Sequence, residues 1–307
     1  MVRGLQHKYQ RIALLLVNDF CSAYCRFCFR KRFTLGSDIE HHIQTGDEET
    51  VERETTFDVS EGVAYIAAHP EIDTVLITGG DPLMLAPSRL RRVLEQVSDI
   101  PHLRIVRIGT KVPAFEPARI TGEMFDTLEI PSRQGKQVYL MVHYNHPREL
   151  TEASLEVIAE ARRRGFGVYN QTPLLRGIND DVDTLVELLN GLITNGIVSY
   201  YLFHCRPTIG NEAFMMTFQE GNELVRQTRA RVNGLARAFH YTGSHETGKI
   251  EIVGVDNDNL VFRYHQARDP ADEGRVMTWP VDQPISWYDD VLERNKTGDV
   301  NLNESWS

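Results

Sequence analysis

Three of the four cysteines in this chain lie close together, at Cys21, Cys25 and Cys28. Such a cluster is poorly suited to a disulfide framework and well suited to a metal site in a reducing compartment, so we expect a cytoplasmic protein. Thiolates are the standard ligands of iron–sulfur clusters, and three of them leave one iron of a four-iron cube open to another ligand. A structural zinc site remains an alternative, although it would want a fourth nearby cysteine or histidine that the spacing does not supply.

The composition narrows the class of protein. The 307 residues are 41% hydrophobic and 25% charged, which is ordinary for a globular chain that can bury a substantial core. The net charge of −10 argues against a general nucleic-acid-binding protein, because such a protein needs a basic face. No apolar run approaches the length of a membrane span, and the first residues lack the core of a signal peptide. We therefore expect neither a nucleic-acid partner nor membrane association.

Short β-rich runs alternate along the chain with stretches that carry apolar residues at helical spacing. The predicted strands cover residues 12–17, 74–78, 104–108, 137–143, 167–171 and 198–204. The predicted helices cover residues 60–69, 87–97, 151–164 and 182–195. Strands that alternate with helices imply parallel pairing and right-handed crossovers, so the predicted fold class is α/β. Six units predict a partial (β/α)6 barrel of the TIM type, with functional residues just after the strands on the C-terminal rim.

Two regions depart from this alternation. Residues 39–57 are polar and acid-rich, and we predict a surface excursion there. After about residue 239 the pattern changes to short strands at 249–255 and 260–264, separated by a turn-forming Asp-Asn-Asp-Asn sequence. The predicted organisation is a barrel domain over 7–239, a small β-rich C-terminal cap over 240–292 and a polar, mobile tail over 293–307.

A glycine turn, Gly79-Gly80-Asp81, follows the second predicted strand, and glycine lets a backbone approach a ligand closely. Together with three and then two residues between successive cysteines, this turn resembles the radical S-adenosylmethionine superfamily. The resemblance implies a [4Fe-4S] cluster whose open iron binds S-adenosylmethionine and whose electron cleaves the sulfonium to give an adenosyl radical. It also implies that the glycine turn contacts the amino group of S-adenosylmethionine.

A narrower resemblance covers most of the chain. The stretches 7–9, 21–33, 76–83, 105–109, 143–147, 170–180 and 200–205 are similar to the lysine 2,3-aminomutase family. This resemblance implies a second cofactor, pyridoxal phosphate, and a reaction that moves the α-amino group of an amino acid to the β-carbon. The cofactor requires a Schiff-base lysine, for which Lys249 is the candidate by its place in the chain. Only Gly248 directly precedes it, where the family has a run of glycines.

The resemblance also implies roles for residues that bind the cofactors and the substrate. Arg30 occupies the position of the substrate-carboxylate anchor, and its guanidinium fork suits a carboxylate. Lys8 and Arg11 are candidates for the phosphate pocket. Three polar residues on later strands could meet S-adenosylmethionine or lie between the two cofactors: His143, Gln171 and Tyr200.

The positions that hold the distal ammonium in lysine-specific members carry no acid here, since they are Arg206 and Thr242. A buried ammonium without a carboxylate partner is costly, and Arg206 would repel it. We therefore predict that lysine is not the preferred substrate and that a glutamate-like amino acid is favoured. Arg206 could instead pair with a protein acid such as Glu212.

Two other hypotheses remain open. One keeps the radical chemistry but directs it at a lysine of a protein such as elongation factor P, and the other is a non-catalytic iron–sulfur or zinc protein. The radical enzyme would need a one-electron reductant of the flavodoxin or ferredoxin type, and it could form a homo-oligomer. Only twenty residues precede Cys21 and no cysteine follows Cys205, which predicts a compact member of the family without its structural zinc.

Overall fold

A computed structural model describes residues 2–31 and 58–296. The predicted excursion at 39–57 and most of the predicted tail at 293–307 lie outside these residues. Within the described ranges, no helix has both the length and the apolar character needed to cross a membrane.

One sheet of eleven strands runs through the described residues, and the strands lie side by side in chain order. They are β1 Leu5–Tyr9, β2 Ile12–Asn18, β3 Thr74–Gly79, β4 Ile105–Thr110, β5 Gln137–Val142, β6 Gly167–Pro173, β7 Val198–Phe203, β8 His240–His245, β9 Gly248–Asp256, β10 Asn259–Ala267 and β11 Val276–Pro280. Strands β2 to β8 pair in parallel. Strand β1 is antiparallel to β2, and β8 to β11 form antiparallel neighbours. Since β1 and β11 end the strand order, the sheet does not close, and the predicted partial barrel is confirmed.

Helices connect the parallel strands, and one more helix follows β11. They are α1 Ser60–Ala68, α2 Pro87–Ser98, α3 Val112–Phe115, α4 Gly122–Leu128, α5 Ile130–Arg133, α6 Glu152–Arg163, α7 Val182–Thr194, α8 Phe218–Arg231 and α9 Asp289–Arg294. Side-chain caps begin several of them: Thr151 accepts a hydrogen bond from Ser154 N–H at α6, and Asp181 accepts one from Thr184 N–H at α7. All four helices predicted from the sequence are present.

The hydrophobic core lies between the sheet and these helices, and it includes Ile77 of β3, Ile108 of β4 and Leu94 of α2. Successive side chains of β4 point to opposite faces of the sheet. Val106 and Ile108 are therefore buried, whereas Arg107 between them is only half-buried. We call the face that carries Arg107, Tyr201 and Lys249 the inner face of the sheet. The candidate site lies on this face and at the ends of the strands.

The C-terminal part of the chain continues the same sheet. The predicted strands at 249–255 and 260–264 correspond to β9 and β10. Their two-residue turn places Asn257 at a φ of 50°, a conformation that asparagine tolerates. Sequence analysis did not identify β8, a seventh parallel strand, because its sequence HYTGSH carries polar residues on both faces. It also missed β1 and β11 at the edges. The division into barrel and cap stays a prediction.

Candidate active site

The loop after β2 carries Cys21, Cys25 and Cys28, all of them half-buried. The Cys28 N–H donates to the Cys25 carbonyl at 3.0 Å, and the Arg30 N–H donates to the Cys28 sulfur at 3.3 Å. Burial, the nearby Asp81 and the two other cysteines raise the pKa of Cys21 to about 12. Burial also raises the pKa of Cys25. Bound iron would offset these shifts, because it places positive charge beside the sulfurs.

The distances between the three cysteine sulfur atoms indicate whether the loop suits an iron–sulfur cluster or a single metal ion. In the part of the chain that the structure describes, these sulfurs do not all lie within 4.8 Å of one another. A tetrahedral zinc with bonds of about 2.3 Å would hold its sulfur ligands roughly 3.8 Å apart. In a four-iron cube each cysteine binds a different iron, so a wider spacing is required. The loop therefore fits the predicted [4Fe-4S] cluster better than a structural zinc.

The glycine turn at the end of β3 holds the start of the cysteine loop. The Gly80 N–H donates to the Asn18 carbonyl at 2.8 Å, and the Asp81 N–H donates to the Phe20 carbonyl at 2.9 Å. A Cβ added at Gly79 or Gly80 would lie 2.3 Å from the carbonyl oxygen of Asn18 or Phe20, respectively. The absence of side chains thus allows the two loops to touch. Contact of this turn with S-adenosylmethionine stays a prediction.

The Asp81 side chain is buried and is hydrogen-bonded to other groups of the protein. Its carboxylate accepts hydrogen bonds from the Leu83 N–H at 3.1 Å, the Thr110 hydroxyl at 2.8 Å and the Lys111 N–H at 2.7 Å. Burial raises the pKa of Asp81, and these hydrogen bonds oppose the rise. Asp81 therefore ties the ends of β3 and β4 together.

A basic group lies beside the cysteine loop on the C-terminal rim. The Arg30 guanidinium donates to the Thr78 hydroxyl at 2.5 Å, and the Lys111 ammonium donates to the His143 carbonyl at 2.6 Å and to Glu149 at 2.8 Å. Burial, with Lys111 and Arg30 nearby, lowers the pKa of His143 to about 3. The imidazole is therefore neutral at physiological pH and can accept or donate a hydrogen bond. Arg30 and His143 were predicted from the sequence as site residues, whereas Lys111, which directly follows the end of β4, was not.

Lys249 projects from β9 onto the inner face. Its Nζ donates to Gln266 Oε1 at 3.2 Å and lies 4.5 Å from the Tyr9 ring centre and 5.5 Å from that of Tyr201. Burial, followed by the positive charges of Arg107 and Lys8, lowers the pKa of Lys249 from 10.5 to about 7. A lysine that is substantially neutral near pH 7 can act as a nucleophile towards a carbonyl group.

A cavity of about 620 Å³ lies next to the side chains that surround Lys249, although Lys249 itself is not part of its wall. Its walls include all three side chains that contact the Lys249 ammonium, namely Tyr9, Tyr201 and Gln266. This volume is typical of pockets for small molecules and cofactors. The lysine, the aromatic rings and the cavity together fit the predicted pyridoxal phosphate.

Two predicted anion-binding residues come together near the β8–β9 turn. Burial, with the charges of Arg206 and Arg268 nearby, lowers the pKa of Lys8 to about 8, and Glu246 opposes this shift. The Lys8 ammonium donates to the His245 carbonyl. Lys8, Arg206 and Arg268 thus form a cationic group, which suits a phosphate or a carboxylate. Arg11 lies apart from this group: its largely exposed side chain pairs with Asp73, just before β3, and it lines the cavity described above, which Lys8 does not.

The remaining predicted residues lie along the inner strands. The centre of the Tyr200 ring lies 5.7 Å from the Arg107 guanidinium, and Tyr200 also lines the cavity. Gln171 of β6 is half-buried opposite Tyr201 of β7. Thr242 of β8 is fully buried, and its hydroxyl has no hydrogen-bond partner. A bound ligand could satisfy that hydroxyl. Arg107 was missed as a site residue, although its place between two apolar residues of a strand was visible in the sequence.

Comparison with known proteins identifies the family. The family model of the Radical SAM superfamily matches residues 15–189. A putative L-lysine 2,3-aminomutase of Aquifex aeolicus (strain VF5) is 46% identical over 297 residues, which cover 95% of this chain and 75% of that protein. L-lysine 2,3-aminomutases of Clostridium subterminale and Escherichia coli (strain K12) are 35% and 36% identical over 76% of this chain. The matches span 52% and 64% of those two relatives.

These matches confirm the cofactors predicted at the level of the family, which are a [4Fe-4S] cluster, S-adenosylmethionine and, in the aminomutases, pyridoxal phosphate. The residues described above fit two of them. The cysteine loop suits the cluster, and Lys249 with its cavity suits pyridoxal phosphate. The chain therefore belongs to the lysine 2,3-aminomutase family of radical S-adenosylmethionine enzymes.

Proposed function

We propose that this protein is a pyridoxal-phosphate-dependent 2,3-aminomutase that moves the α-amino group of an amino acid to its β-carbon. We further propose that its substrate carries an acidic side chain, as glutamate does, rather than the ammonium of lysine. The observation that carries the reaction class is Lys249, whose amino group lies between two aromatic rings beside the cavity and whose pKa is lowered to about 7.

The low pKa of Lys249 prepares it to hold the cofactor. An exposed lysine is neutral in fewer than about one molecule in a thousand at pH 7, whereas the lowered pKa of Lys249 gives it a substantial neutral fraction there. Bound pyridoxal phosphate would supply a conjugated ring able to stabilise an unpaired electron next to the migrating nitrogen. The Tyr9 and Tyr201 rings flank the amino group, so they exclude water and limit its position.

The cationic group formed by Lys8, Arg206 and Arg268 supports an acidic substrate. We assign Lys8 to the cofactor phosphate and Arg206 to the side-chain carboxylate of the substrate. An ammonium placed here would be repelled by the positive charges of Lys8, Arg206 and Arg268, which is unfavourable. Arg30, on the loop of the cluster cysteines, would then bind the α-carboxylate and place the β-carbon near the adenosyl radical.

The proposal is tested with anaerobically reconstituted protein, pyridoxal phosphate, S-adenosylmethionine, a reductant and a panel of amino acids, with β-amino products measured by mass spectrometry and NMR. We expect glutamate to exceed lysine in kcat/KM by about 10-fold, because Arg206 is exposed and solvent screens part of its charge. Strong turnover of lysine with little of glutamate would overturn the substrate assignment.

Variants of Arg206 distinguish the substrate assignment from the reaction class. R206Q should lower kcat/KM for glutamate by about 10-fold, the size expected for an exposed charge, and R206D should shift the preference towards lysine. R226Q, which changes an exposed arginine on α8, serves as the control and should leave both values unchanged. If S-adenosylmethionine is cleaved but no free amino acid reacts, a protein-bound lysine becomes the better candidate target. If S-adenosylmethionine is not cleaved, the proposed reaction class is wrong.

A further inference from the structure

A second cluster of potential ligands lies on the inner face, apart from the cysteine loop. It consists of His240 at the start of β8, Glu251 in β9 and His265 in β10. Their ligand atoms all lie within 4.8 Å of one another, and no other three histidine, cysteine or acidic residues among 2–31 and 58–296 meet this criterion. His240 Nδ1 is 2.9 Å from Glu251 Oε1, and the His240 and His265 ring centres are 4.4 Å apart. The proposed aminomutase reaction assigns no role to these residues.

Other side chains already orient two members of this cluster. The Arg263 guanidinium donates to Glu251 Oε2 at 2.6 Å, which leaves Oε1 facing His240. The Tyr201 hydroxyl lies 2.9 Å from His265 Nε2, so Nδ1 is the nitrogen of His265 that would bind an ion. Ligands of protein metal sites are commonly oriented in this way, by hydrogen bonds to the atom that does not bind the metal.

We propose that His240, Glu251 and His265 bind a divalent transition-metal ion of the zinc or iron(II) class. Two imidazoles and one carboxylate suit such ions, and three protein ligands leave at least one coordination position open. His265 also lines the cavity beside Lys249, so the open position can be reached by an anionic group of a ligand in that cavity. The His240 side chain is 36% exposed, which allows the ion to enter from solvent.

The charge balance of the cluster is compatible with this ion. Burial disfavours the charged form of Glu251, but hydrogen bonds from His240 and Arg263 outweigh it and hold its pKa below the ordinary value. Burial, with His240 nearby, lowers the pKa of His265. A carboxylate and a neutral imidazole are the forms that bind metals. Lys249 and Arg263 oppose a further positive charge, so we expect moderate affinity.

The test uses protein with its iron–sulfur cluster reconstituted, freed of loosely bound metal by dialysis against a chelator and then titrated with zinc. No amino acid or S-adenosylmethionine is present, so the result is independent of the proposed aminomutase activity. We expect about one zinc per chain in addition to the cluster iron, with iron and sulfide measured in the same samples. X-ray absorption at the zinc edge should show nitrogen and oxygen ligands and no sulfur.

Variants of each ligand locate the ion. H240A, H265A and E251Q should each weaken zinc binding by at least about 100-fold. H69A is the matched control, because His69 also lies near another histidine, His7, with ring centres 6.1 Å apart, but it belongs to no such cluster. Circular dichroism checks folding, and E251Q keeps the shape of the side chain should a histidine variant not fold. Unchanged zinc binding in the folded variants, sulfur ligands to zinc, or no binding by the unmodified protein would each overturn the proposal.

Discussion

The Lys249 ammonium lies 4.5 Å from the centre of the Tyr9 ring, although Lys249 stands in β9 and Tyr9 in β1. In the sheet, β9 is the eighth strand after β1. Only the curvature of the sheet can therefore bring the two side chains together. The cavity beside them has walls from both regions of the chain. The candidate cofactor pocket therefore exists only when the sheet has curved into its partial barrel.

The lowered pKa of Lys249 predicts how attachment of pyridoxal phosphate depends on pH. The pKa falls from 10.5 to about 7, so the nucleophilic neutral amine should predominate above pH 7 and disappear as the pH falls below it. Borohydride trapping followed by mass spectrometry of the Lys249 peptide should show labelling that rises through about pH 7 and then levels off. K249A should show no such labelled peptide. A midpoint near 10.5 would contradict the prediction.

Arg107 should contribute to that low pKa. Among the charged neighbours of Lys249, its positive charge has the largest effect, after burial itself. R107M removes this charge, so the midpoint of cofactor labelling should move to higher pH. R226M on α8 removes an exposed arginine and should leave the midpoint unchanged. A downward movement in R107M would mean that Arg107 does not act through its charge.

Gly80 should be essential for assembling the cluster. An alanine Cβ at this position would lie 2.3 Å from the Phe20 carbonyl oxygen, and neither backbone can yield without moving the cysteine loop. G80A should lose most of its reconstituted iron and sulfide and about 3 kcal/mol of unfolding free energy. G122A is the control, since its Cβ would meet no atom within 4 Å. Equal cluster content in both variants would show that the loops can separate without harm.

Asp81 should matter more for stability than for contact with a cofactor. D81A would leave the buried N–H groups of Leu83 and Lys111 without their carboxylate acceptor, at a cost of about 2–4 kcal/mol. Chemical denaturation of the protein without its cofactors measures this cost directly. D126A, which removes an exposed acid paired with Arg164, should change the unfolding free energy little. If D81A is as stable as the unmodified protein but fails to bind S-adenosylmethionine, a direct role in binding would be favoured instead.

Arg30 should act through the shape of its guanidinium as well as its charge. R30K keeps a positive charge but loses the planar fork that can bind both oxygens of a carboxylate. We expect kcat/KM for the amino acid to fall about 30-fold, the equivalent of about 2 kcal/mol, mainly through KM. R226K provides a matched substitution of an exposed arginine. An unchanged KM in R30K would place the substrate carboxylate elsewhere.

Patterns that depend on neighbouring residues were predictable. Apolar runs predicted the strands β2 to β7, because strands covered by helices bury nearly continuous apolar stretches. The strand β8 was missed because its inner face carries His240, Thr242 and Ser244, so its sequence lacks that apolar pattern. The cysteine spacing and the glycine turn were also found, since both are short motifs within one loop.

Relations between distant parts of the chain were not predictable from such patterns. The sequence by itself determined the thiol ligands, the alternation of strands and helices, and the position of a candidate lysine. Only the tertiary structure placed Arg107 and Lys8 near Lys249, and joined His240, Glu251 and His265 from three strands. Electrostatic shifts and ligand clusters depend on distances through space, and curvature of the sheet sets these distances. For this reason the fold and the cluster loop were visible in the sequence, whereas the reactivity of Lys249 was not.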